Sequence, residues 1–194
     1  MRDKQREETR RRIFRAALEI FRRDTVAGCR IDDIAAKAEV SRGAFYFHFP
    51  TKDDVLIELL REGEQPVAEA IDELPIDTPL EKIFEAIGES LAKFWENERT
   101  LLPDVATVAL RLNANPAERD AEPVRAALAR RFLLAADRGE LSPVLPPEVL
   151  SDFYLANTLS AMLAWCGNPE LGLPFVLSGV SHLFLHGAGG KKAP

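Results

Sequence analysis

An all-α protein is what this sequence predicts, and three observations carry the prediction. Apolar residues recur at intervals of three and four through most of the chain, the spacing of a helix face. The periodic segments stop at proline and glycine, the usual helix terminators. No stretch sustains a two-residue apolar alternation rich in β-branched residues, so no strand is expected. Eight or nine helices account for the chain.

The first helix covers residues 4–23. Ile13, Ala16, Ala17, Ile20 and Phe21 form its apolar stripe and basic residues fill its other faces. Gly28 interrupts the pattern. Ile31, Ile34, Ala35 and Ala38 then repeat the spacing over a short second helix. Ser41 is a suitable N-cap for a third short helix reaching His48, which Pro50 stops. Thr51, with Asp54 three residues on, caps a fourth helix carrying Val55, Leu56, Leu59 and Leu60. Gly63 and Pro66 fall where that helix would continue. Two readings stay open there: a plain helix end near Glu62, or a kink that couples the two halves of the chain.

Beyond residue 75 a helix over 80–98 carries Ile83, Phe84, Ile87, Leu91, Phe94 and Trp95 on one face. Shorter helices are expected over 105–113 and 123–137, the latter closed by Gly139. The last two, 147–165 and 175–186, are separated by Gly167, Asn168, Pro169 and Gly172. Residues 187–194 are expected to be disordered.

Composition bounds the function. With 194 residues, 46% hydrophobic and 29% charged, the chain can bury a core without disulfides or metals. No apolar run approaches the roughly 20 residues of a membrane-spanning helix, and the charged start lacks a signal-peptide core. A cytoplasmic protein that does not enter a membrane is expected. Two distant cysteines, Cys29 and Cys166, make neither a disulfide framework nor a zinc site. The net charge of −6 hides an asymmetry. Residues 1–52 hold 13 Lys/Arg against 8 Asp/Glu, and the remainder 12 against 23. A basic head on an acidic body suggests that the head alone meets a polyanion.

A longer helix followed by two short ones joined by a tight turn is the arrangement of a helix-turn-helix DNA-binding unit. In the third helix Phe45 and Phe49, one turn apart, can anchor to a core, leaving Arg42, Gly43, Ala44, Tyr46 and His48 facing outward. Arg42 can reach guanine O6 and N7, while Gly43 and Ala44 let the backbone approach base edges and thymine methyls. Tyr46 and His48 suit phosphate oxygens, as does Lys52 among the free N–H groups of the fourth helix's first turn.

Residues 9–60 resemble the TetR family of transcriptional regulators. The resemblance is carried by Ile34-Ala35, Val40-Ser41-Arg42-Gly43, Phe45-Tyr46-Phe47-His48-Phe49 and Lys52. It implies a homodimeric, ligand-responsive regulator, usually a repressor, whose N-terminal helices bind double-stranded operator DNA. Its C-terminal helices would bind a small, largely apolar molecule and dimerise. On that reading residues 1–52 form the DNA-binding domain, 53–187 the effector and dimerisation domain, and 188–194 a tail. Ser41, Arg42, Gly43, Ala44, Tyr46 and His48 then fall in the DNA-contact segment and Lys52 on a phosphate contact. Two positions depart from the family pattern. Arg30 stands where a capping Thr is usual and is a weaker phosphate candidate; Glu39 stands where the turn usually has Gly.

For the body, the resemblance implies a pocket, and Phe84, Phe94, Trp95, Asn113, Phe132, Tyr154 and Asn157 are its candidates. The plainer reading makes most of them core. From Phe153 to His186 only Glu170 is ionised at neutral pH, so these helices call for burial on more than one side. Phe153, Trp165, Ser178, Gly179, His182 and His186 are candidates for a dimer face. His182 and His186, at i and i+4, lack a third ligand nearby in sequence, and interface packing is favoured over metal. No cofactor motif or local nucleophile–base pair points to an enzyme. An activator, a ligand-independent architectural DNA-binding protein and a helical enzyme with a vestigial head remain the alternatives.

Overall fold

The computed structural model describes residues 2–114, 122–141 and 145–186. The described residues form nine α-helices and no strand: α1 (Arg2–Asp24), α2 (Ile31–Lys37), α3 (Arg42–His48), α4 (Lys52–Glu73), α5 (Leu80–Glu98), α6 (Leu102–Asn113), α7 (Pro123–Asp137), α8 (Pro147–Gly167) and α9 (Leu173–His186). A single 3₁₀ turn, Pro169–Leu171, lies between the last two. The chain divides into two compact units, Met1–Leu60 and Arg61–Pro194. The disordered tail expected over 187–194 lies outside the described residues.

In the first unit the expected stripe of α1 is buried, with Ile13, Ala17, Ile20 and Phe21 in a core completed by Ile34, Phe45, Phe49, Val55 and Leu59. Thr25, at φ 66°, follows the end of α1 in the left-handed conformation. Its hydroxyl compensates by accepting the Gly28 N–H at 3.2 Å. Glu39, at φ 52°, occupies the left-handed position of the turn between α2 and α3. Val40 N–H donates to Ala35 O and Glu39 N–H to Ala36 O, the two bonds that close a helix around such a residue. The turn geometry is therefore formed without glycine, at a backbone cost of about 1–2 kcal/mol.

Both expected caps form. Ser41 Oγ accepts the Ala44 N–H at 3.1 Å. At the start of α4, Asp54 accepts from Thr51 N at 2.7 Å while Thr51 Oγ1 accepts from Asp54 N at 3.3 Å, a reciprocal capping box. Arg30 precedes α2 without a side-chain capping bond.

The second unit centres on Val67, Ile71, Ile83, Phe84, Ile87, Leu128, Phe132 and Tyr154. Here α4 does not end near Glu62, nor does it break: it continues through Gly63 and Pro66 to Glu73. Gly63 is a close-packing position, because a Cβ there would meet Phe94 ring carbons at 3.0 Å and Trp95 Cζ2 at 3.1 Å. Helices α6 and α9 each begin earlier than expected, at Leu102 and Leu173. In both, a proline (Pro103, Pro174) sits in the first turn, where its missing N–H costs nothing. Gly139, at φ 71°, follows the end of α7 as expected.

Two side chains distant in sequence cap the segment between α4 and α5. Arg131 donates to Ile71 O and Leu74 O at 2.5 Å and to Pro75 O at 2.7 Å. Glu140 Oε1 accepts the Leu80 N–H at 2.6 Å, serving the start of α5 in place of the absent local cap.

Candidate nucleic-acid interface

The outward face of α3 consists of Arg42, Gly43, Tyr46 and Phe47, all exposed, with Ala44 half-buried at its margin. Phe45 and Phe49 turn inward as expected. His48 does not face outward: it is 9% exposed. At about 100° per residue it stands on the arc between Ala44 and Phe45, on the packed side of the helix. Its ring meets Phe47 edge-on at 5.2 Å, and its backbone oxygen accepts from Arg10 at 2.5 Å. Burial first, then the neighbouring Arg10 and Arg6 charges, push its pKa below the usual histidine value. The imidazole is thus largely packed within the unit, where the sequence placed an outward-facing phosphate contact. Phe47, which the sequence reading did not single out as a contact, is 66% exposed instead.

Arg42 is held in advance of any ligand. Its Nη1 lies 3.4 Å from Asp32, and Nη2 donates to the Tyr46 hydroxyl at 3.5 Å. The Tyr46 hydroxyl first, and then the Asp32 carboxylate, raise the pKa of the guanidinium further. Arg30 and Ser41 are exposed. Lys52 is half-buried, and its Nζ donates to Val26 O at 2.6 Å and Cys29 O at 3.2 Å. The ammonium thus braces the loop ahead of α2, with one of its three donors left over. The first-turn N–H groups of α4 are partly served by the capping box, so they are not the open anion site expected. Arg10 completes the frame: it pairs with Glu58 and lies 4.2 Å over the Phe49 ring.

The pocket candidates separate into three places. Phe84, Phe132 and Tyr154 meet in a closed aromatic cluster with Phe184; Phe84 and Tyr154 stack at 4.1 Å. Burial pushes the Tyr154 phenol up to about 12, against the pull of the Ser181 and Thr158 hydroxyls. Half-buried Phe94 and buried Trp95 pack beside Gly63. Asn113 and Asn157 are exposed, and Asn157 donates to Phe153 O at 2.7 Å. Among the described residues Thr158 Oγ1 and Trp165 Nε1 are buried without a hydrogen bond of acceptable geometry, although the Thr158 hydroxyl is near enough to act on the Tyr154 phenol.

Of the candidates for a dimer face, Phe153, Ser178, Gly179, His182 and His186 are exposed. Trp165 is not, at 5% exposure. It continues the inward row Ser151, Tyr154, Thr158 and Met162, and the Arg99 guanidinium lies 5.9 Å from its ring. Between the outer sides of α8 and α9 runs an open groove of about 640 Å³, lined by Phe153, Asn157, Ala161, Val180 and Leu183. The His182 and His186 rings are 4.8 Å apart. Among the described residues no three His, Cys, Asp or Glu side chains are grouped to hold a metal. No described helix is long and apolar enough to cross a membrane. Cys29 and Cys166 are free, and burial raises both thiol pKa values.

A capped short helix presenting arginine, glycine and tyrosine, tied by a tight turn to a second short helix, defines a helix-turn-helix protein. Residues 13–59 match the family model for bacterial regulatory proteins of the tetR family, about a quarter of the chain. The HTH-type transcriptional regulator SrpR of Pseudomonas putida is 43% identical over 81 residues, 42% of this chain and 37% of its own. TtgW, an uncharacterized HTH-type transcriptional regulator also from Pseudomonas putida, is 42% identical over 80 residues, 41% of this chain and 58% of its own. The matched segment thus spans less than two thirds of either relative. Thermus thermophilus FadR, a TetR family transcriptional repressor solved with lauroyl-CoA, superimposes with a TM-score of 0.69 at 25% identity. That superposition covers 95% of this chain and 97% of FadR.

Proposed function

We propose that this protein is a homodimeric transcriptional repressor that binds a palindromic operator and is released by a small, largely apolar effector. The observation that carries the reading is the exposed face of α3, where Arg42, Gly43 and Tyr46 stand together on a helix braced from behind. Arg42 would read a guanine edge, Gly43 and Ala44 would admit the groove wall, and Tyr46 would bond a phosphate. Arg30, Ser41 and the remaining Lys52 donor would add backbone contacts. His48 acts by packing.

Dimerisation is supported by the exposed sides of α8 and α9, where Phe153, Phe175 and Leu183 lie open among small residues. From Phe153 to His186 only Glu170 is ionised, and an apolar face of this kind marks an interaction surface. Two copies joined there would offer two recognition helices to successive major grooves, about 34–36 Å apart.

Effector release is supported by Trp165 Nε1, which is buried without a well-formed hydrogen bond, since buried polar groups ordinarily find a partner. FadR binds lauroyl-CoA, and an acyl chain has the apolar character proposed for this effector. The closed Phe84–Tyr154–Phe132 cluster favours a second reading, a DNA-binding protein whose body only dimerises. Repression and activation differ only in where the operator lies relative to the promoter.

The test is selection of genomic fragments by the purified protein, followed by salt-dependent binding to the enriched site. A palindromic site whose affinity falls more than roughly tenfold on Tyr46→Ala supports the regulator. No enrichment at low salt, where phosphate contacts are strongest, refutes it. A thermal shift with medium-chain acyl compounds, matched by loss of operator binding, separates the ligand-responsive reading from the second one.

A further inference from the structure

The exposed Phe47 has no role in the reading above. It is the more exposed of two large apolar side chains open to solvent among the described residues of the first unit, the other being Tyr46 at 41%. One turn earlier stands Gly43, where a Cβ would meet nothing closer than Ser41 Oγ at 3.8 Å. The ring of Phe47 therefore stands beside an open notch on the face that carries Arg42 and Tyr46. The Arg6 guanidinium lies 5.2 Å from the ring centroid, within cation–π range. Arg6 belongs to α1, outside the 13–59 segment matched by the family model.

We propose that Phe47 reads a thymine C5-methyl group in the operator and that Arg6, stacked on its ring, holds the adjacent phosphate. The inference rests on the DNA-binding reading and adds a base-reading residue to it. A phenyl ring offers no hydrogen bond to a phosphate or a base edge, so its contribution to a DNA face is packing. The thymine methyl is the apolar group that the major groove presents. The notch over Gly43 lets that methyl reach the side of the ring. Arg6 supplies what the ring lacks, a charge for the backbone, and the cation–π contact fixes where that charge stands.

The experiment uses the full-length protein and the operator recovered by fragment selection. Each thymine of the half-site is replaced in turn by deoxyuridine, symmetrically in both half-sites, which removes the C5-methyl and nothing else. Binding is followed by fluorescence anisotropy for the wild type, Phe47→Ala, Phe47→Leu and Arg6→Ala. Losing one buried methyl is worth about fourfold per half-site. One thymine position should therefore weaken wild-type binding on the order of tenfold. Phe47→Ala should weaken binding to the unmodified operator and lose the discrimination at that position. Phe47→Leu, which keeps an apolar contact, should retain part of it. Arg6→Ala should lower the salt dependence by about one phosphate contact per half-site while leaving the thymine preference in place.

An operator indifferent to every methyl deletion overturns the inference and leaves the regulator standing, as does a methyl dependence that survives Phe47→Ala. Failure to recover any operator overturns both. Unchanged operator affinity of Phe47→Ala would mean that the ring serves another surface, such as a protein partner, and overturns the inference too.

Discussion

Replacing Arg131 with Met should cost the second unit about 3 kcal/mol. The side chain is 7% exposed and donates to three carbonyl oxygens, those of Ile71, Leu74 and Pro75. Ile71 is among the last four residues of α4, whose carbonyls have no partner within the helix. Hydrogen bonds from a charged donor contribute roughly 1.5–3 kcal/mol each, so a naive sum exceeds about 5 kcal/mol. Two effects reduce it. Removing the guanidinium also removes its desolvation cost, several kcal/mol for a buried ion. Leu74 is half-buried and Pro75 exposed, so those carbonyls regain water, whereas Ile71 stays buried. What remains is one stranded carbonyl plus the lost bridging of α4 to α7. The adjacent Arg130 provides the control, since its pair with Asp72 at 2.7 Å is more than half exposed on both sides and contributes about 0–1 kcal/mol. The assay is urea unfolding followed by tryptophan fluorescence, which reports this unit because Trp95 and Trp165 both lie within it. A loss below about 1 kcal/mol for Arg131→Met, or an equal loss for Arg130→Met, would refute the capping argument.

Other perturbations follow from the same geometry. Burial, reinforced by the Glu122 charge and opposed by Arg61, pushes the Glu64 carboxyl up to about 7. Its folded pKa thus exceeds the unfolded one, so stability should fall as pH rises from about 4.5 through 7. Discounted for partial exposure, Glu64→Gln should stabilise by about 1–2 kcal/mol near pH 8 and by little near pH 4.5; a pH-independent difference counts against it. Glu39→Gly should raise the stability of the first unit by about 0.5–1 kcal/mol, the relief of left-handed strain less the added unfolded-state entropy, and destabilisation in a thermal melt would contradict that account. Asp32→Asn should free Arg42 and tighten operator binding several-fold at low salt, with the gain shrinking as salt rises; weaker binding would show that Asp32 positions Arg42 for DNA. Lys52→Met should lower the melting temperature because it releases Val26 O and Cys29 O, and weakened DNA binding at unchanged stability would instead make Lys52 a direct phosphate contact.

Helices whose ends are set locally were legible to the residue. The bounds expected for α5 and α7, 80–98 and 123–137, are those observed, because Pro79, Pro123 and Gly139 act on their own neighbours. The misjudged ends share one cause. Each lies beside a proline (Pro103, Pro174 or Pro66) that a first turn or a packed helix tolerates. The inward row of α8 places Trp165 beside Thr158 and Met162, a regularity visible in the sequence that a low-charge argument for an outer face overrode. Arg131 and Glu140 could not be found this way. Their partners lie 56–60 residues away, and nothing local to an arginine shows which carbonyls will need it.

The motif that suggested the DNA contacts mixes two kinds of residue, and only burial sorts them. Arg42, Gly43 and Tyr46 are exposed together on the face proposed to meet a groove. His48 and Lys52 belong to the same motif, yet one is packed under Phe47 and the other bonds backbone carbonyls ahead of α2. A recognition helix of seven residues has little stability of its own. It can be held rigid only if some of its neighbours are spent on holding it. The residues proposed to touch DNA and the residues that would fix them are therefore interleaved along one short segment, and a motif match alone records both without distinguishing them. The free face that remains after this sorting is small, which is why an exposed phenylalanine on it carries information.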